Sequence, residues 1–266
     1  MKATICLNST MSTFEVLVSN FFILFLSQLI LVYGSIRKKS PRILIRYFFL
    51  PILLSMTFGV LLQYIYEVSE ISNRQIIANI LLLLWCTKSL FSYKSIKPLL
   101  LNSILSEMRL DLDQKNYLNL IKRVIKVSSL QFICFSFIYA INYLSGNLAL
   151  NLIDWVGLII ALLGLSLEIY CETQIKTTKK NHLLSGGIWS KIQHPNLLGI
   201  ILFFLGLQIL TIGSIGSKWT VIGFFIIFFI LQRILMPELD KKLLMRFGKE
   251  PSIKTSYGFK KALFIK

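Results

Sequence analysis

IDWVGLIIALLGLSLEIY, residues 153–170, is apolar for close to the ~20 residues that an α-helix needs to cross a bilayer, and it carries a carboxylate, Glu168, near its end. Six further apolar segments accompany it, at roughly 15–34, 48–66, 76–91, 130–144, 198–212 and 219–236. The chain of 266 residues is 55% hydrophobic and only 15% charged, with a mean hydropathy of +0.69. These values lie outside the soluble range. The expected fold class is therefore all-α: a polytopic integral membrane protein of about seven transmembrane helices, forming a single membrane domain over 1–266. The first apolar run follows a weakly charged leader with no clear small-residue cleavage signal, so it is read as a retained span.

The basic residues fix an expected orientation. Twenty-four of the 29 fall in 35–46, 92–127, 171–197 and 237–266, whereas three, Lys2, Arg74 and Lys218, fall in the alternate connections. Lys and Arg accumulate on the cytosolic side, which predicts a lumenal or external N-terminus and a cytosolic C-terminus. The same split explains the net charge of +17 as loops facing an anionic leaflet. No folded basic domain is evident, so nucleic acid is not an expected partner. The cysteines, Cys6, Cys86, Cys134 and Cys171, show no metal-type spacing, and two histidines, His182 and His194, are too few for a histidine-box di-iron site. No metal is expected.

Outward from residue 170 the chain turns polar. Glu168 and Glu172, four apart, share a helix face, and Gln174, Lys176, Lys179 and Lys180 follow. A carboxylate inside a span is costly and faces a cavity or a partner. The plainer reading is a solvated helix end, with Glu172 paired to Lys176. Next comes SGGIWSKIQHPNLLG, residues 185–199. Gly186-Gly187 permits a tight turn, Trp189 suits a membrane boundary, and Pro195 suits the first turn of a helix. Gly199 would admit close approach of a backbone or a ligand. The plainer reading here is an interhelical loop with a proline start. Arg233, within the last apolar segment, is expected to pair with Glu168 or Glu238, or to snorkel to the surface.

These elements resemble the membrane reductase superfamily that includes the steroid 5α-reductase C-terminal domain. Gly186-Gly187-Ile188-Trp189 matches its Gly-Gly/Leu-aromatic turn, and His194-Pro195-Asn196-Leu197-Leu198-Gly199 matches its His-Pro-Asn run. Gln193 stands where the family has arginine, and Ile200 where it has glutamate. Glu168, Glu172, Gln174 and Lys179 occupy the positions of its polar helix. Glu238, Phe247-Gly248, Tyr257 and the terminal Leu263-Phe264-Ile265 follow its C-terminal order. The resemblance covers residues 153–266, the cofactor half. It reaches weakly to Trp85 and Asp113…Tyr117 in 76–152, which holds spans three and four with a polar loop. It leaves 1–75, the first two spans, without a recognisable motif.

The resemblance implies NADPH as cofactor, held by Glu168, Glu172, Gln174, Lys179, Trp189, His194, Asn196, Gly199, Glu238 and Tyr257. It implies reduction of a carbon–carbon double bond in a membrane lipid, a sterol-type enone or a related compound, within the endoplasmic reticulum or a prokaryotic plasma membrane. The catalytic acid is unassigned, with Tyr64, Tyr66, Tyr139 and Tyr143 available. A second resemblance is to S-adenosylmethionine-dependent methyltransferases of the isoprenylcysteine or phospholipid type. Their acidic pair is missing here, since Leu239 follows Glu238. A third reading is a divergent member that binds lipid without turnover.

Reporters at the two termini test the orientation. The C-terminal one is expected in the cytosol and the N-terminal one on the opposite side; both on one side would overturn the seven-span reading.

Overall fold

The computed structural model describes residues 13–38, 47–65, 71–92, 107–108, 110–111, 113–144, 149–177, 187–190, 192, 194–214 and 217–237. Among these the regular structure is helical, without strands: α1 (Thr13–Arg37), α2 (Leu50–Ile65), α3 (Asn73–Ser92), α4 (Tyr117–Cys134), α5 (Ser136–Leu144), α6 (Leu152–Thr177), α7 (Pro195–Ile212) and α8 (Val221–Ile230). Short 3-10 turns at Gly187–Ser190 and Ser217–Thr220 precede α7 and α8, and α8 runs on into a π-helical turn, Leu231–Leu235.

All seven apolar segments are helical, but they are unequal as spans. Phe14–Ser35, Leu152–Ile175, Pro195–Ile212 and Ser217–Leu235 are long and apolar enough to cross a membrane, and the bent α4–α5 pair makes a fifth if taken as one span. α2 has 16 residues, about 24 Å of helix against a hydrocarbon core of ~30 Å. α3 is long enough but is diluted by Asn73, Arg74, Gln75, Asn79 and Lys88.

The helices are inside-out by soluble standards. On α1 the buried stripe is Val16, Asn20, Leu24, Gln28 and Val32, while Phe14, Val18, Phe22, Leu26, Ile30 and Tyr33 face outward. Polar side chains thus meet other helices and apolar ones meet lipid, as packing in hydrocarbon favours.

The centre is built on α3, α6 and α7. On α6 the buried residues Asp154, Gly157, Ala161, Gly164, Glu168, Cys171 and Ile175 form a stripe at steps of three and four, with Leu165 and Glu172 buried beside it. On α7, whose buried side is broader, Asn196, Gly199, Phe203, Gly206 and Leu210 form a matching stripe. This is the spacing of a closely packed helix pair, antiparallel here, with glycine and alanine at its middle. A side chain on Gly157 would come within 2.8 Å of the Gly206 carbonyl oxygen and 3.0 Å of the Leu210 nitrogen. One on Gly199 would come within 2.7 Å of the Glu168 nitrogen and 2.8 Å of the Gly164 carbonyl oxygen. The backbones touch because nothing larger is present.

α3 lies parallel to α6, and its inward residues Arg74, Ala78, Leu81, Trp85 and Lys88 keep the same spacing. Arg74 forms a bidentate pair with Asp154, Nε to Oδ1 at 2.9 Å and Nη2 to Oδ2 at 2.7 Å, and its Nη1 donates to the Gly213 carbonyl at 3.1 Å. These side chains are 1% and 2% exposed. Asp154 also accepts from the Asn151 N–H at 2.9 Å and Asn151 from the Asp154 N–H at 3.0 Å, a reciprocal cap for α6.

α4 and α5 meet at a 57° bend around Phe135. Gly223 of α8 fits against the break, where a side chain would meet Ser136 Oγ at 2.9 Å and the Cys134 carbonyl oxygen at 3.1 Å.

Removing one member of a buried ion pair leaves an uncompensated charge and costs about 3–5 kcal/mol. Arg74→Ala is therefore expected to lower the thermal unfolding midpoint in detergent sharply. Arg74→Met combined with Asp154→Asn, which keeps the cap, should recover most of the loss. Wild-type unfolding of Arg74→Ala would show that the pair does not hold α3 to α6.

Candidate polar site at the ends of α3, α6 and α7

Glu168 lies on the seam of α6, where its backbone faces Gly199 and its side chain faces α3. Trp85 Nε1 donates to Oε2 at 3.0 Å, and Lys88 Nζ donates to Oε1. Lys88 also donates to Glu172 Oε1 at 2.6 Å. Lys88, Glu168 and Glu172 are 10%, 3% and 5% exposed. One ammonium thus bridges two carboxylates spaced by one helical turn, and both oxygens of Glu168 are engaged. The Trp85 indole is fixed in turn, stacked on Phe203 with centroids 5.7 Å apart and edge-on to Phe204 and Phe49 at 5.0 Å and 4.7 Å.

Beyond Glu172, the Gly187–Ser190 turn folds back onto the end of α6. Trp189 packs on Cys171 and Ile175, and its Nε1 donates to Gln174 Oε1 at 2.9 Å. Gln174 Nε2 donates to the Tyr170 hydroxyl at 2.9 Å. His194 is buried at the N-cap of α7, with Pro195 at the first turn. Asn196 is fully buried and, by the register of the α6–α7 seam, lies level with Cys171. Ile200, one turn on, packs against the hydrophobic core.

Glu168, Glu172, Gln174, Trp189, His194, Asn196 and Gly199 are therefore gathered at one end of three helices. Gly199 serves the close approach of α6. Lys179, Gln193, Glu238 and Tyr257 lie outside the described residues, as do Phe247, Gly248 and Leu263–Ile265. The partner expected for Arg233 was Glu168 or Glu238; Glu168 is taken by Lys88 instead, Arg233 is exposed on the π-helical turn, and Glu238 lies outside the described residues. Glu172 pairs with Lys88; the side chain of Lys176, the partner expected for it, lies outside the described residues. The signal available for Lys88 was its spacing: it lies three residues after Trp85 and fourteen after Arg74, on the inward stripe of α3.

Two groups at this end keep unused hydrogen-bonding capacity. Oε2 of Glu172 and both polar atoms of the Asn196 amide are buried without a hydrogen-bond partner among the described residues. Buried polar atoms are normally satisfied, so these atoms stand out as having capacity for a further polar partner. A carboxylate oxygen accepts from hydroxyl or amide groups, and the Asn amide both donates and accepts.

Of the candidate tyrosines, Tyr139 and Tyr143 join a separate buried cluster. Ser55 Oγ lies 3.1 Å from the Tyr139 hydroxyl and donates to the Asn20 carbonyl at 2.8 Å, and Asn20 Nδ2 donates to the Tyr143 hydroxyl at 2.6 Å. Tyr64 is exposed, and Tyr66 lies outside the described residues. Among the described residues no group of His, Cys, Asp and Glu is arranged to hold a metal ion.

A family model described as "Protein of unknown function (DUF1295)" matches residues 48–256. No curated protein and no solved structure matches the chain. The chain belongs to the DUF1295 family, which includes steroid 5-alpha-reductase-like membrane proteins.

Lys88→Met would strand two buried carboxylates, at a cost of about 3–5 kcal/mol. Trp85→Phe keeps the ring stack and loses one charge-assisted hydrogen bond, about 1.5–3 kcal/mol. The lysine variant is expected to melt lower in detergent, and Glu172→Gln added to it should restore part of the loss. Equal melting of Lys88→Met and Trp85→Phe would show that the lysine is not the hub.

Proposed function

We propose that this family member is an NADPH-dependent reductase of a carbon–carbon double bond in a membrane lipid such as a sterol-type enone. The nucleotide would sit at the cytosolic end of α3, α6 and α7. The observation that carries this reading is the unspent hydrogen-bonding capacity of Glu172 Oε2 and Asn196. A ribose hydroxyl and a carboxamide are groups that such atoms recognise. NADPH, when bound, supplies a hydride.

The chain's own residues then divide by task. Glu172 and Asn196 would bind. Gln174 and Trp189 brace each other beside them, and His194 belongs to the same end. Glu168, with both oxygens engaged, is a positioning residue that holds Lys88 and Trp85. Lys179, Glu238 and Tyr257 would complete the pocket, as the family resemblance implies, with lysine offsetting phosphate charge. Because Glu172 Oε2 and Asn196 are enclosed, a nucleotide would reach them through a local rearrangement at this end. Seven helices crossing the bilayer, with the C-terminus cytosolic, would put this end where NADPH is available; the parallel run of α3 with α6 and the antiparallel run of α7 support that alternation. The membrane would be the endoplasmic reticulum, or the plasma membrane in a prokaryote.

The test is an NADPH titration of purified protein by nucleotide fluorescence, with S-adenosylmethionine as competitor. Loss of one charge-assisted hydrogen bond, about 1.5–3 kcal/mol, predicts at least tenfold weaker binding for Glu172→Gln. Asn196→Ala should weaken binding in the same direction, whereas Glu168→Gln should chiefly lower the melting temperature. Wild-type NADPH affinity in both Glu172→Gln and Asn196→Ala would sink the reading. Displacement by S-adenosylmethionine would favour methyl transfer instead.

A further inference from the structure

α4 joins two features that do not belong together in either water or hydrocarbon. Its buried side is Val124, Ser128, Gln131 and Cys134. On the outward side of its first half, Lys122 and Lys126 lie one turn apart and are exposed, and Lys115 is exposed in the turn before the helix. Beside them Leu118, Ile121 and Ile125 are exposed as well. Exposed lysines exclude that half from the hydrocarbon layer. Exposed leucine and isoleucine at helical spacing mark a face that lies against something apolar. Both conditions are met at the boundary, with aliphatic side chains in the acyl region and ammonium groups among the headgroups.

The cations of this segment are not equivalent. Arg123 is committed to carboxylates, Nε donating to Asp111 Oδ2 at 2.5 Å and Nη1 to Glu107. Among the described residues no carboxylate pairs with Lys115, Lys122 or Lys126. The 57° bend at Phe135 separates this half-helix from α5, which is buried along most of its length. α4 can then run at a different angle to the bilayer from α5, with its lysine-bearing first half at the surface.

We propose that Lys115, Lys122 and Lys126 form a binding face for the phosphate headgroups of anionic phospholipid, with Leu118, Ile121 and Ile125 in the adjoining acyl layer. The face is separate from the nucleotide end and does not depend on that reading.

Full-length protein in neutral detergent would be titrated with phosphatidylglycerol, with phosphatidylcholine and inorganic phosphate as parallel arms, following thermal shift and lipid retained by native mass spectrometry. The wild type is expected to gain stability and retain lipid with phosphatidylglycerol only, less so as salt rises. K115Q/K122Q/K126Q should lose affinity on the order of tenfold or more, since each surface lysine contributes roughly fivefold. K115R/K122R/K126R should keep it, and K218Q, an exposed lysine beyond the opposite end of α4, should behave as wild type. An unchanged response of the glutamine variant, an equal loss in K218Q, or an equal response to phosphatidylcholine or inorganic phosphate would each overturn the proposal. Should the glutamine variant fold poorly, the wild-type comparison of the three arms still decides it.

Discussion

A charge carried into a bilayer has to be met by its opposite there, because the surrounding medium offers it nothing. Arg74 with Asp154, and Lys88 with Glu168 and Glu172, satisfy that condition at the two ends of one helix pair. Both arginine and lysine lie 80 residues before the acid they meet. α3 and α6 are thus parallel and locked in register over fourteen residues, about 21 Å of helix. Fourteen residues are two heptads, so both pairs fall on one seam. The weakly apolar α3 belongs in the centre because its charges are answered there.

The seam of small residues does the complementary work. Gly157, Ala161 and Gly164 admit Gly199 and Gly206 to backbone contact, and the close approach carries the first turn of α7 alongside the carboxylate end of α6. Had α7 been held a side chain further away, Asn196 and Glu172 would not share one neighbourhood. The site is thus set by packing: Glu168 is consumed in holding helices together, and Glu172, one turn later, keeps an oxygen in reserve. Trp85 links the two functions, with its ring in the aromatic core and its N–H on Glu168.

The apolar segments and their helical nature were legible in the sequence, since a run of fifteen to twenty apolar residues has few other fates. So was the clustering of Glu168, Glu172, Gln174, Trp189, His194 and Asn196, which follows from two connected helices. The partner of Glu168 was not legible: Lys88 and Glu168 meet across 80 residues of chain, and Arg233 looked equally suited from sequence alone. Nor was the bend at Phe135, for no proline or glycine marks it. The spacing of Arg74, Trp85 and Lys88, and the recurrence of glycine and alanine along α6, carried information that only pairing of the helices converts into geometry.

The 80-residue offset also orders events in time. A ribosome makes Arg74 and Lys88 well before the acids that neutralise them. At about 5–20 residues per second, the interval is roughly 4–16 s. During it α3 carries two unanswered charges and has no stable place in lipid. Its insertion is therefore completed by a helix that has not yet been synthesised. α3 reaches its paired state only after α6 has been made. A truncation that ends before α6 would leave α3 with its buried positions facing the wrong medium.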